Sequence, residues 1–142
     1  MKSIALKTAL SIAEAGLSHA EKSGFKPMAV VVVDDGGRLV AFMRGDGASP
    51  GRFELALAKA NGCVMLGVGG RALAALNASN PGVVTAAGNA FGGKLFPAPG
   101  GVLLRDGQGA IIGAVGVSGD TPDNDEAAAI AGIRAAGIDF QP

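Results

Sequence analysis

A chain of 142 residues with twelve acidic and twelve basic side chains carries no net charge, so it lacks the basic footprint of a nucleic-acid binder. Trp and Tyr are absent and only six Phe occur, which removes the aromatic platforms that single-stranded nucleic acids stack on. No apolar run approaches the roughly 18 residues of a membrane helix, and a lone cysteine, Cys63, excludes an internal disulfide and any Cys-clustered zinc or iron–sulfur site.

The length fits one domain over residues 1–142. Its core must be built from Ala, Val, Leu and Ile around 24 glycines, which leaves little bulky apolar area per residue. Association into a homo-oligomer is therefore an expected second source of burial. Lys7, Thr8, Ser11 and Glu14 interrupt any signal-peptide core, and a cytoplasmic protein is the default expectation.

In chain order, a first helix is predicted from Ser3 to Ser23 and closed by Gly24, with Leu6, Leu10, Ala13, Leu17 and Ala20 as its core stripe. Pro27 stops it. The Val-rich run from Met28 to Val33 reads as a strand buried on both faces, Asp34-Asp35-Gly36-Gly37 as a turn, and Arg38 to Met43 as the returning strand. Ser49 is placed as the cap of a second helix with Pro50 at its first position and Phe53, Leu57, Ala60 and Val64 as its buried face. Arg71 to Leu76 reads as a turn or short helix, Gly88 to Gly93 as loop, and Val83 to Ala87 stays unassigned. A second hairpin follows, in which the runs Ala98 to Leu104 and Ile111 to Gly119 flank Arg105 to Gly109, whose Asp106-Gly107 step reads as the turn. Thr121-Pro122 then opens an alanine-rich helix that runs out near Gly137. Two hairpins with helices between them argue for an antiparallel sheet in an α+β fold, because a doubly wound parallel sheet needs a crossover after each strand.

Several of these segments, in order, resemble the GlcG/HbpS family: Val33 to Val40 around the first turn, Met43-Arg44-Gly45-Asp46-Gly47-Ala48, Lys59-Ala60, Pro99-Gly100-Gly101-Val102, Ile112 to Gly119, and Asp125-Glu126. Each glycine motif alone is weak, and the ordered set spans almost the full chain. The resemblance implies a profilin-like antiparallel sheet with helices packed on its faces, assembled into oligomers. Its relatives include extracellular haem-binding proteins, a domain fused to cobalamin adenosyltransferases, and proteins encoded beside glycolate or diol catabolic enzymes. Haem is the ligand the resemblance implies, and some members are described as haem-degrading.

The candidate chemistry is sparse. His19, the only histidine, sits opposite the leucine stripe and is a candidate haem-iron ligand, or else a solvated or interface residue. Arg44, in the departure Met43-Arg44-Gly45-Asp46 from the family pattern, is suited to clamp a carboxylate or a haem propionate, or to pair with Asp46. The loop Phe91 to Gly101 is the best pocket wall: Phe91 and Phe96 to cover an apolar ligand, Lys94 to meet its acid group, Gly100 and Gly101 to admit it close to backbone, or alternatively a subunit contact. Lys59 reads as a surface lysine and Cys63 as a buried, inert thiol. Asp123, Asp125 and Glu126 crowd a helix N-terminus, where they stabilise its exposed N–H groups; Asp125 and Glu126 are also candidates for general acid and base.

Three functions remain open. The first is a binding protein for a small ligand, haem or a related tetrapyrrole. The second is an enzyme acting on a small hydroxy or oxo acid in a catabolic pathway, with Arg44 or Lys94 orienting the carboxylate. The third is an oligomeric accessory subunit. Broken Gly-x-Gly-x-x-Gly spacing at Gly113 to Gly116 and the missing lysine after Gly67-Val68-Gly69-Gly70 disfavour nucleotide binding.

Overall fold

The computed structural model describes residues 3–142. Ten elements follow one another: α1 (Leu6–Lys22), β1 (Ala29–Asp34), β2 (Leu39–Arg44), α2 (Arg52–Leu66), α3 (Gly70–Ser79), α4 (Pro81–Ala90), β3 (Gly101–Arg105), β4 (Ile111–Ser118), α5 (Pro122–Ala136) and β5 (Asp139–Gln141). The five strands form one antiparallel sheet in the order β2-β1-β4-β3-β5, so the two expected hairpins lie side by side, joined through β1 and β4. This is the α+β sheet with helices on its faces that the hairpin pattern predicts.

Both hairpins turn by one device. Asp34 Oδ1 accepts from the backbone N–H groups of Gly36 and Arg38 at 2.9 Å each, and Asp106 Oδ1 accepts from those of Gln108 and Ala110 at 2.9 Å. A short acceptor at the turn entrance replaces backbone partners that the reversing chain cannot supply. Strands β1, β3 and β4 are buried on both faces because both faces are covered, whereas edge strand β2 is largely open to solvent. Val30, Val32, Val102, Leu104, Val115 and Val117 meet α1 and α5 on one side. Ala29, Val31, Val33, Leu103 and Ala114 meet α2 and Leu73 of α3 on the other.

The structure departs from the local expectations or adds to them at four places. The buried stripe of α1 is Ala9, Ile12, Ala13, Gly16 and Ala20, whereas Leu6 and Leu10 are 57% and 38% exposed. The cause is how closely α5 approaches: a Cβ at Gly132 would collide with the carbonyl oxygen of Ile12, so only small residues fit where the two helices cross and the leucines are left on the flank. Ser49 and Pro50 form a turn, with Arg52 N–H donating to Ser49 O at 3.1 Å, and α2 starts after Gly51 without a side-chain cap. The unassigned stretch Val83 to Ala87, with Gly88 to Ala90 of the expected loop, lies in α4, whose first residue is Pro81, where a missing N–H costs nothing. The short strand β5 was not foreseen; it pairs with β3 at the sheet edge. Gly24 and Gly137 end α1 and α5 as predicted, each with positive φ just past the last turn.

Candidate functional site

The head of α5 gathers most of the chain's interacting charge. Thr121 caps the helix, its Oγ1 accepting from Asn124 N–H at 3.2 Å. Asp120 accepts from Lys26 N–H at 2.7 Å, from Thr121 N–H at 2.6 Å and from Asn124 Nδ2 at 3.1 Å. These donors hold the Asp120 carboxyl below the ordinary carboxylate range, the Lys26 bond most of all.

The three acids of the first turns then divide. Asp123 and Glu126, three residues apart and so on one helix face, both receive Arg71 from the start of α3, at 2.8 Å and at 3.0 and 3.1 Å. Asp125 points the other way, into the protein. Its Oδ2 lies 3.0 Å from Lys59 Nζ, and its Oδ1 accepts from Asp120 N–H at 2.8 Å. Lys59 also donates to Val117 O at 3.0 Å and sits 5.5 Å from the centre of the Phe96 ring. Burial pushes the Asp125 carboxyl above its ordinary range, against the opposing pull of Lys59.

Lys59 is therefore not a surface lysine but 3% exposed, because the middle of α2, from Ala58 to Cys63, is covered all round. The signal was available: it is the only charge in Leu55 to Leu66. Gly100 closes the cell, since a Cβ there would lie 2.8 Å from Lys59 Nζ and 2.8 Å from Val117 O, and its φ of +114° favours glycine as well. Gly101 lies over Cys63, where a Cβ would stand 2.7 Å from the sulfur. Burial pushes that thiol up to about 12, which keeps it protonated and inert. Arg71 was missed by the sequence reading. A base in a helix's first turn opposes the helix dipole, and that conflict is the clue that it has acidic partners.

The predicted ligand-binding residues do not form one site. Phe96, Gly100 and Gly101 surround the enclosed Lys59–Asp125 pair. Phe91 and Lys94 line a groove of about 460 Å³ beside the β1–β2 turn, at the end of the sheet opposite the head of α5. Arg44 is exposed at the end of edge strand β2, and no ion pair joins it to Asp46. His19 lies across from α5, in a groove of about 360 Å³ that it shares with Asp123, Glu126, Ala127, Ile130 and Arg134. The His19 ring meets Phe25 edge-on at 5.9 Å, and its Nε2 is 3.4 Å from Ser23 Oγ. Among the described residues no three His, Cys, Asp or Glu side chains converge to hold a metal ion, and no helix is long and apolar enough to cross a membrane.

With this geometry in place, residues 4–134 match the family model described as haem degrading protein HbpS-like. The chain belongs to the HbpS-like family. The crystal structure of HbpS superposes with a TM-score of 0.81 at 29% identity, covering 95% of this chain and 91% of that one. The Klebsiella pneumoniae protein ORFY gives 0.85 at 25% identity over 96% and 92% of the two chains. A PduOC:heme complex gives 0.86 at 23% identity over 99% of each, a likeness of fold. No protein among the curated sequences matches the chain. The HbpS-like fold thus supplies the frame in which the α1–α5 groove and the head of α5 sit.

Proposed function

We propose that this HbpS-like protein binds haem in the groove between α1 and α5, with His19 as the iron ligand. The observation that carries the reading is the chemistry of that groove: the chain's only imidazole lies beside an apolar wall of Ala127, Ile130 and Ala131, with Arg134 at the rim. A tetrapyrrole asks for those three things, namely a nitrogen donor, an apolar surface for the ring and a cation for a propionate. The family description and the haem complex of a protein of the same fold support the same ligand.

Haem, when bound, supplies a redox-active iron whose reactivity is set by its axial ligand and surroundings. The chain's own residues do the rest. Phe25 limits rotation of the His19 ring by its edge contact, and Ser23 Oγ is within reach of one ring nitrogen. Arg71 holds the charge of Asp123 and Glu126, so these acids repel an anionic ligand less than two free carboxylates would. Ile130 and its alanine neighbours keep water from one face of the ring. The groove is near the small end of the roughly 300–1,000 Å³ range of ligand sites, and a second subunit closing over the open side agrees with the expected oligomer.

An absorption titration of tag-free protein with haemin tests the reading. The expected result is a saturable, shifted Soret band that moves or disappears in His19→Ala, while Arg134→Ala weakens binding several-fold without moving the band. A band of unchanged position and affinity in His19→Ala would remove His19 as the ligand.

A further inference from the structure

The groove beside the β1–β2 turn is chemically unlike the His19 groove. Its charged residues are Arg38 from the turn and Lys94 from the loop after α4, and neither makes an ion pair among the described residues. Of the two acids of the turn, Asp35 is exposed and does not line the groove, and Asp34 is held inside the turn, where its Oδ1 accepts from the backbone N–H groups of Gly36 and Arg38. The remaining walls are apolar. Leu39 and Met65 are 50% and 39% exposed, and Leu57 and Phe91 line the space beside them. Large apolar side chains left in water beside two unpaired cations, gathered in one groove, make a surface suited to an amphipathic anion. The walls are also tied together: Asn61 Nδ2 of α2 donates to Lys94 O at 2.8 Å, which fixes the loop against the helix.

We infer that this groove of about 460 Å³ is a second binding site, for a small amphipathic carboxylate whose acid group lies between Arg38 and Lys94 and whose hydrocarbon body covers Leu39, Leu57, Met65 and Phe91. The two cations match the charge of the head group, and Arg38 has the planar fork that grips a carboxylate with paired hydrogen bonds. The site is independent of His19, which lies on the other face of the sheet.

Octanoate is a suitable probe, followed by amide NMR shifts, with octanol as its uncharged counterpart. The expected result is saturable shifts confined to the amides of Gly36 to Leu39, Asn61 and Phe91 to Lys94. Arg38→Gln combined with Lys94→Gln should weaken octanoate at least tenfold, and octanol should bind the unaltered protein at least tenfold more weakly than octanoate. Both substituted residues are exposed, and retained dispersion of the remaining amides confirms the fold. Absence of localised shifts, equal affinity in the double variant, or equal binding of octanol would overturn the inference. So would broadening of the same amides with protein concentration alone, which would assign the groove to a second copy of the chain. Haemin binding through His19 is expected to be unchanged in the double variant, so this site and the haem site fail or stand separately.

Discussion

Asp125 and Glu126 are neighbours in sequence and belong to different worlds in the fold. Asp125 faces Lys59 in a cell closed by Gly100, Val117 and Phe96, while Glu126 shares exposed Arg71 with Asp123 and borders the His19 groove. The two ion pairs have similar lengths, 3.0 Å each, so geometry alone does not rank them. Solvent does. In water the outer contacts are screened and replaceable, whereas each inner charge depends on the other once both are desolvated. The inner pair holds α2 and α5 together across the end of the sheet; the outer one tethers α3 at the margin of a groove open to ligand.

The comparison breaks first at the inner pair. Lys59→Met or Asp125→Ala alone leaves an uncompensated buried charge and is expected to cost about 3–5 kcal/mol, read as a lower urea midpoint. Lys59→Met with Asp125→Leu should recover more than half of that loss, because an apolar pair needs no desolvation. A double variant as unstable as the singles would show that the charges themselves, not their mutual dependence, hold the fold.

A smaller effect is expected at Asp120, whose carboxyl is held low chiefly by Lys26 N–H and then Thr121 N–H. A depressed acid contributes stability above its unfolded pKa, which is lost as pH falls through the lower folded value. Asp120→Asn should therefore lower stability at neutral pH, by an amount that shrinks as pH falls through and below the ordinary carboxylate range, so that the acid side of its stability–pH curve is flatter. A curve parallel to that of the unaltered protein would show that these hydrogen bonds do not bind more tightly to the ionised form. Smallest of all, Arg71→Ala should leave the urea midpoint nearly unmoved, yet speed amide exchange at the start of α3, which it tethers to α5.

Much of the fold was legible because it rests on local chemistry. Asp-Gly turns, a Val-rich run and glycines after the helices specify two hairpins and the ends of α1 and α5 without knowledge of what packs where. The stripe of α1 was not legible, because Leu6 and Leu10 look more like core than Ala9 and Gly16 until α5 is seen at backbone contact. Lys59 was misplaced for a related reason: its partners, Val117 and Asp125, are distant in sequence and meet it only through the sheet. The loop from Phe91 to Gly101 read as one pocket wall, yet it runs from one end of the sheet to the other, so Lys94 and Phe96 serve different places. His19 was marked by being alone, and the apolar wall opposite it, on α5, emerged only from the packing of the two helices.

That solitude also permits the most direct test. Labelling histidine with nitrogen-15 labels a single residue, so electron paramagnetic resonance of the ferric haem complex can ask whether that nitrogen touches the iron. Hyperfine coupling that changes with the isotope, and is absent in His19→Ala, is the result expected for axial ligation in the α1–α5 groove. A spectrum indifferent to the label, with haem bound at the same affinity, would place the iron elsewhere and contradict the account.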